Sequence, residues 1–233
     1  MINLDAYKMD GLGNDFIIFD NRKKSISLNK NQILKISNRN NIGCDQVIFI
    51  DKDKDENIFS LKFYNSDGGE VSACGNGSRC VAYLLMKERK INEISLKTKG
   101  GILHAKINSK NLVSINMGKP DFKWNKIPLI KKMDNKNLKI KINSIDKKEI
   151  IGGFSLSVGN PHVVFFVEDF NKFDLNNIGP KIENHSFFPE KCNVTLASIK
   201  NKKHIKIRVW ERGAGLTKAC GTAACAAAVS GAV

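Results

Sequence analysis

No stretch of this 233-residue chain approaches the ~18 consecutive apolar residues of a membrane span. Its first eight residues, Met1 to Lys8, lack the basic-then-apolar order of a secretory leader. A cytoplasmic location with no membrane partner is therefore expected, and with it six free cysteines rather than a disulfide framework. Five residues separate Cys74 from Cys80 and four separate Cys220 from Cys225, neither of them a zinc spacing, and the four histidines show no ligand pattern. No metal is expected. Gly11-Leu12-Gly13 is too short for a nucleotide-binding loop. Acidic residues are scarce, 23 against 38 Lys and Arg, and the net charge of +15 raises the question of nucleic acid. Zinc-finger, RNP-like and helix-turn-helix patterns are all missing, however, and the lysines are dispersed. Their densest run, Lys131 to Lys148, has the pattern of a strand and turn with outward charges. No nucleic-acid partner is expected.

What the chain does contain is a repeat. Gly13-Asn14 recurs as Gly159-Asn160, and Cys74-Gly75 recurs as Cys220-Gly221, both at an offset of 146 positions. Asn65 and Gly69 fall opposite Glu211 and Gly215 at the same offset. Two independent landmarks at one offset mark a duplication, with halves at 1–118 and 119–233. The first half runs 44 residues beyond Cys74 to Gly118, the second only 13 beyond Cys220. The repeat thus predicts a second half cut short by roughly thirty residues, or three strands.

Within the halves, Ile17-Ile18-Phe19, Gln46 to Ile50 and Phe59 to Tyr64 are strand-like, rich in branched and aromatic residues. Asp67-Gly68-Gly69 supplies a turn. Val81 to Met86 after Cys74, and the Ala-rich run Ala219 to Val229 around Cys220, are helical in character. Strands follow the first helix at 94–97, 102–107 and 112–116, and Gly118-Lys119-Pro120 to about Asn125 is a linker candidate.

Each half therefore starts a helix at a Cys-Gly dipeptide. First-turn N–H groups lack intrahelical partners and can hold an anion. The positive helix end favours thiolate, and a contribution of up to ~2 kcal/mol would leave such a cysteine about half ionised at neutral pH. Glycine lets a substrate approach the backbone. With one cysteine from each half facing a bound carbon, a thiolate removes a proton from one side while a thiol delivers one to the other. The stereocentre beside a carboxylate is inverted, and N–H groups at Gly75, Asn76, Gly221 and Thr222 hold the carboxylate as charge develops. That chemistry needs no cofactor. Cys44, Cys80, Cys192 and Cys225 are expected to be small buried hydrophobes. A redox dithiol remains an alternative for the first pair.

Four blocks carry a family resemblance: Met9 to Phe16, Tyr64-Asn65-Ser66-Asp67-Gly68 through Ala73 to Cys80, Val158 to His162, and Glu211-Arg212-Gly213 through Ala219 to Thr222. In order and over nearly the whole chain, they resemble diaminopimelate epimerase. The resemblance implies an α/β fold of two similar domains, each a barrel-like mixed or antiparallel sheet around a central helix. It implies epimerisation of LL-2,6-diaminopimelate to meso-diaminopimelate, without pyridoxal phosphate, and commonly a homodimer. Cys74 and Cys220 then form the acid/base pair, assisted by His162 and Glu211. Asn14, Gln46, Asn65, Asn160 and Asn193 line the substrate site with Glu211 and Arg212, and Gly75-Asn76 and Gly221-Thr222 bind carboxylate. Amides and Arg212 suit a distal carboxylate, and Glu211 an ammonium. Ala223 departs from the family's usual glycine. The competing functions are a proline or hydroxyproline racemase of the two-cysteine kind, an inactive fragment, and a basic RNA-binding module.

Overall fold

The computed structural model describes residues 4–55, 57–108, 112–143 and 149–233, so the end of the Lys131–Lys148 run lies outside the described residues. The chain forms two compact units, Met1–Met117 and Gly118–Val233.

The first unit is built on one mixed sheet. Strands β1 (Tyr7–Gly11), β2 (Asn14–Asp20), β3 (Gln46–Lys52), β4 (Ile58–Asn65), β6 (Glu93–Thr98), β7 (Gly101–Ile107) and β8 (Val113–Asn116) neighbour one another in that order, with the two-residue β5 (Glu70–Val71) beside β4. Helix α1 (Lys30–Ser37) links β2 to β3, whose pairing is parallel, and α2 (Gly75–Arg89) links β5 to β6. Helix α2 packs against β1 and β2 at one end of the strand order and against β7 and β8 at the other. Seven flat strands would span about 29 Å between outermost strands at ~4.8 Å each, several times a helix radius. The sheet therefore curls around α2 as an open barrel.

Alternation along each strand divides the side chains between two cores. Phe16, Ile18, Ile48, Ile50, Leu61 and Phe63 point to α2 and join Val81, Ala82, Leu85 and Met86. Ile17, Phe19, Val47 and Phe49 face the other way, beneath Ile33 of α1. Leu12 (φ 63°) and Gly13 (φ 81°) make the two-residue turn between β1 and β2, which takes the primed geometry that suits strand twist.

The second unit repeats this plan. Its elements run β11 (Phe154–Ser157), β12 (Pro161–Phe166), α3 (Leu175–Glu183), β13 (Asn193–Asn201), β14 (His204–Glu211), β15 (Gly215–Thr217) and α4 (Gly221–Ala232). A small ribbon of β9 (Ile140–Asn143) and β10 (Glu149–Gly152) precedes them. Pairing between successive strands is antiparallel, parallel, antiparallel and antiparallel, as for β1 to β5. Phe154, Leu156, Val164 and Ala197 face Ala226 and Ala227 of α4. Val163, Phe165, Val194 and Leu196 face Leu175, Ile178 and Ile182 of α3. The duplication thus extends from sequence landmarks to element order and strand direction.

Two expectations change. The segment expected as a linker is pinned from Asp121 onward: Asp121 exchanges backbone bonds of 2.8 and 2.9 Å with Ser157, and Phe122 packs on the α4 core. Cys44, Cys80 and Cys192 are buried as expected, but Cys225 is half-buried at the edge of that core. Among the described residues no helix is long and apolar enough to cross a membrane.

The start of α2 sits tightly on the sheet at Gly77, where an added Cβ would lie 2.7 Å from Ile48 Cδ1, 3.1 Å from the Phe63 ring and 3.3 Å from the Phe16 ring. Both rings are fully buried and have nowhere to move. Gly77→Val is expected to cost about 1–3 kcal/mol. Denaturant unfolding of the variant against the parent protein measures it, and unchanged stability would show that this helix end is loosely seated.

Candidate active site

In the first unit the inward positions just beyond the apolar core carry amides. Asn14 precedes Phe16 on β2, Gln46 precedes Ile48 on β3, and Asn65 follows Phe63 on β4. Because β2 and β3 run parallel and β4 opposes them, all three fall at one rim. Phe16 is opposite Gln46, and Gln46 opposite Asn65. Gln46 Nε2 donates to Asn65 Oδ1 at 2.8 Å, while the buried Gln46 Oε1 has no hydrogen-bond partner among the described residues.

The N-terminus of α2 reaches the same rim. Cys74 is its N-cap (φ −138°, ψ 115°), and its sulfur accepts from Gly77 N–H at 3.4 Å. The Cys74 sulfur also lies 3.8 Å from Asn14 Oδ1. Gly75 and Asn76 are buried as the first helical residues. Asn76 Nδ2 donates to Asn14 Oδ1 at 3.5 Å and Asn76 Oδ1 accepts from Arg79 at 2.7 Å. Asn14, Cys74 and Asn76 thus meet around one oxygen.

The second unit repeats the arrangement with different chemistry. Cys220 caps α4 with almost the same backbone (φ −136°, ψ 114°), followed by Gly221 and the buried Thr222. At the offset of 146, Phe16 is replaced by His162 and Asn65 by Glu211. Asn160 stands just before β12, where Asn14 is the first residue of β2, and its Oδ1 lies 2.9 Å from His162 Nε2. That oxygen can only accept, so Nε2 carries the proton and the buried Nδ1 presents a lone pair without a partner among the described residues. Burial, and secondarily the charge of Arg212, lower the His162 pKa to about 3. The imidazole is neutral under ordinary conditions.

Glu211 accepts from Thr217 Oγ1 at 2.6 Å. Cys220 Sγ lies 3.3 Å from Thr222 Oγ1. Burial pushes the Cys220 thiol far up, Glu211 adds to the push, and the Thr222 hydroxyl and the Ala223 N–H only partly oppose them. The half-ionised cysteine expected from a helix end alone is therefore corrected for Cys220. The helix end supplies a fixed partial charge, but desolvation and a neighbouring carboxylate both disfavour a second negative charge. In this state Cys220 is an acid.

Asn193 was expected to line the site, and its buried amide is bonded at both ends to backbone. Its Nδ2 donates to Pro161 O at 3.0 Å and its Oδ1 accepts from Arg212 N–H at 3.0 Å. Arg212 Nη1 donates to Glu190 O at 3.0 Å. Sequence reasoning missed a further group beneath this turn. Glu183, buried at the end of α3, accepts from Trp210 Nε1 at 2.7 Å and from Gly213 N–H at 3.0 Å, which clamps both sides of Glu211-Arg212. No local pattern marks it, because its partners lie 27 and 30 residues away. It also missed Asp45 and Thr217, although each stands close to a residue it did name, Gln46 and Cys220.

The diaminopimelate epimerase family model matches residues 6–123 and 154–233. A diaminopimelate epimerase of Pelagibacter ubique is 56% identical over 229 residues, covering 98% of this chain and 83% of that protein. One from a Caulobacter species is 43% identical, covering 96% and 80%. Among solved structures, a hydroxyproline epimerase from Agrobacterium vitis aligns with a TM-score of 0.63 at 13% identity, covering 97% of this chain and 75% of that one. A predicted epimerase from Pseudomonas aeruginosa aligns at 0.61 and 14%, covering 98% and 81%. Such distant structural likenesses establish the fold, two curled-sheet α/β units of the epimerase and racemase kind. The sequence matches establish more: this chain, an isomerase, belongs to the diaminopimelate epimerase family.

Proposed function

We propose that the chain interconverts LL- and meso-2,6-diaminopimelate by proton transfer at one α-carbon, with Cys74 and Cys220 as the two acid/base groups. The observation that carries this reading is one device made twice: a cysteine with the same extended backbone caps a glycine-started helix at the polar rim of each sheet. A carbanion beside a carboxylate spreads its charge onto the carboxylate oxygens. The N–H groups of Gly75, Asn76, Gly221 and Thr222 are the donors assigned to them. Inversion requires one thiolate and one thiol on opposite faces of the carbon, and each unit contributes one cysteine.

The remaining residues divide by chemistry. Asn14, Gln46, Asn65, Asn160 and Asn193 are assigned to the substrate's polar groups, and Arg212 to the carboxylate of the non-reacting end. Glu211 suits the ammonium and also the Cys220 proton, since its carboxylate already faces that thiol. Neutral His162 offers Nδ1 as an acceptor. No cofactor is required by this scheme. We place the enzyme in the cytoplasm, where thiols stay reduced, and infer a homodimer from the family resemblance. The dispersed lysines are assigned no nucleic-acid role.

Proton NMR of LL-diaminopimelate in D2O with the reduced protein is expected to show loss of the α-proton signal. Cys74→Ala and Cys220→Ala should each slow it by at least ~10²-fold while circular dichroism stays native. Exchange undiminished in either variant would remove that cysteine from the mechanism. Glu211→Gln takes away one of the groups that raise the Cys220 pKa, so Cys220 thiolate should form at lower pH. Its iodoacetamide labelling near pH 8, followed by peptide mass spectrometry, is expected to rise while α-proton exchange falls. Slower labelling would show that Glu211 does not hold the thiol proton.

A further inference from the structure

The polar groups around Cys74 form a chain whose direction is fixed at both ends. At one end is Asp45, paired with Arg39 at 2.6 Å, whose carboxylate accepts from Asn14 Nδ2 at 2.8 Å and from Asp15 N–H at 3.1 Å. Burial pushes Asp15 up, but bonds from Arg39 and Lys8 outweigh it and hold its carboxyl well below the usual range. At the other end is Arg79, a guanidinium that only donates, bonded to Asn76 Oδ1.

Between those ends each amide has one allowed orientation. An acceptor-only carboxylate requires the Asn14 NH2 to face Asp45, which turns Asn14 Oδ1 toward Cys74 and Asn76. A donor-only guanidinium requires the Asn76 oxygen to face Arg79, which turns Asn76 Nδ2 toward Asn14 Oδ1. Reversing either amide would set oxygen against carboxylate at Asp45 or NH2 against guanidinium at Arg79. The two ends, 34 positions apart in sequence, impose the same polarity.

Among the neighbours of the Cys74 sulfur, two are therefore of opposite sense. Gly77 N–H donates to it and favours thiolate, whereas Asn14 Oδ1 can only accept from it and favours thiol. We propose that Asp45 and Arg79 are positioning residues that act through Asn14 and Asn76 to hold an amide oxygen on the Cys74 sulfur, keeping the resting cysteine protonated. The inference deepens the two-thiol reading and rests on it for its catalytic meaning, though its measurement does not. Substrate that engages Asn14 or Asn76 would withdraw that oxygen and leave the Gly77 bond in control, which couples ionisation of Cys74 to occupancy. The charged groups around this chain are Arg79 on α2, Lys8 and Asp10 on β1, Asp15 on β2, and Arg39 and Asp45 before β3.

The test is iodoacetamide labelling of Cys74 across pH 6–10, read by peptide mass spectrometry in the full chain. Asp45→Ala, Asp45→Leu and Arg79→Met are compared with the parent protein, each with native circular dichroism as a condition of use. Loss of one opposing hydrogen bond should raise Cys74 labelling near pH 7 by about fivefold, with rates converging near pH 10, and leave Cys220 unchanged. An Asp45 and an Arg79 variant showing the same pattern would establish control from both ends. Unchanged labelling in folded variants overturns the proposal. An equal rise at every pH also overturns it, because that reports easier access rather than altered proton affinity. If Asp45→Ala fails to fold, the other two decide. Failure of the parent protein to exchange diaminopimelate α-protons would sink the substrate assignment while leaving the labelling contrast intact.

Discussion

A buried helix N-terminus presents first-turn N–H groups that the helix itself cannot satisfy, and the architecture of both units is arranged around supplying that end. Helix α2 is wrapped by its curled sheet through Val81, Leu85 and Met86, and α4 lays Ala226 and Ala227 on the sheet of the second unit. Enclosure directs each helix start to a rim where the strands turn from apolar to polar. There the start of α2 meets the Cys74 sulfur and the Asn14 amide, and at the start of α4 the Cys220 sulfur meets the Thr222 hydroxyl. Glycine immediately after each cysteine keeps that surface open, and Gly77 lets the first turn settle onto Ile48, Phe63 and Phe16. Sulfur placement thus arises from the same packing that makes the core, and the carboxylate binding proposed for these helix ends would share that origin.

Where the candidate residues fall on the strands and helices was legible because the determinants of that placement are local. A cysteine, a glycine and a following apolar run specify a capped helix. Strand alternation then sends Asn14, Gln46 and Asn65 to the inward face that Phe16, Ile48 and Phe63 share. What stayed illegible depends on long-range contact. Strand β1 carries Lys8 and Asp10 on an exposed edge and lacks the apolar run of a buried strand. Helix α3 contains Pro180, which argues against a helix until its packing beneath β13 and β14 is known. Glu183 and Asp45 belong to no local pattern, and only the fold brings them to Trp210 and Asn14.

Ionisation was harder to foresee than geometry, for a reason of scale. A helix end contributes a modest, fixed stabilisation to an anion. Desolvation and a nearby carboxylate exceed it at Cys220. Whether a capping cysteine is thiolate or thiol is therefore set by what closes over it, and the sequence around the cap does not contain that information.

The duplicated halves have diverged at positions that matter chemically. Where the first rim has Phe16 and Asn65, the second has His162 and Glu211, so an apolar ring and a neutral amide correspond to an imidazole and a carboxylate. Each sulfur nevertheless meets an oxygen that favours its protonated form: an amide oxygen at Cys74 and a carboxylate at Cys220. The amide oxygen is held by partial charge and can be outcompeted by a ligand's hydrogen bonds, whereas the carboxylate carries full charge and repels a thiolate until a cation neutralises it. The two cysteines of a reversible epimerisation must exchange roles with the direction of reaction. In the proposed two-thiol mechanism, an amide oxygen at one sulfur and a carboxylate at the other would answer to different groups of the substrate, its carboxylate and its ammonium.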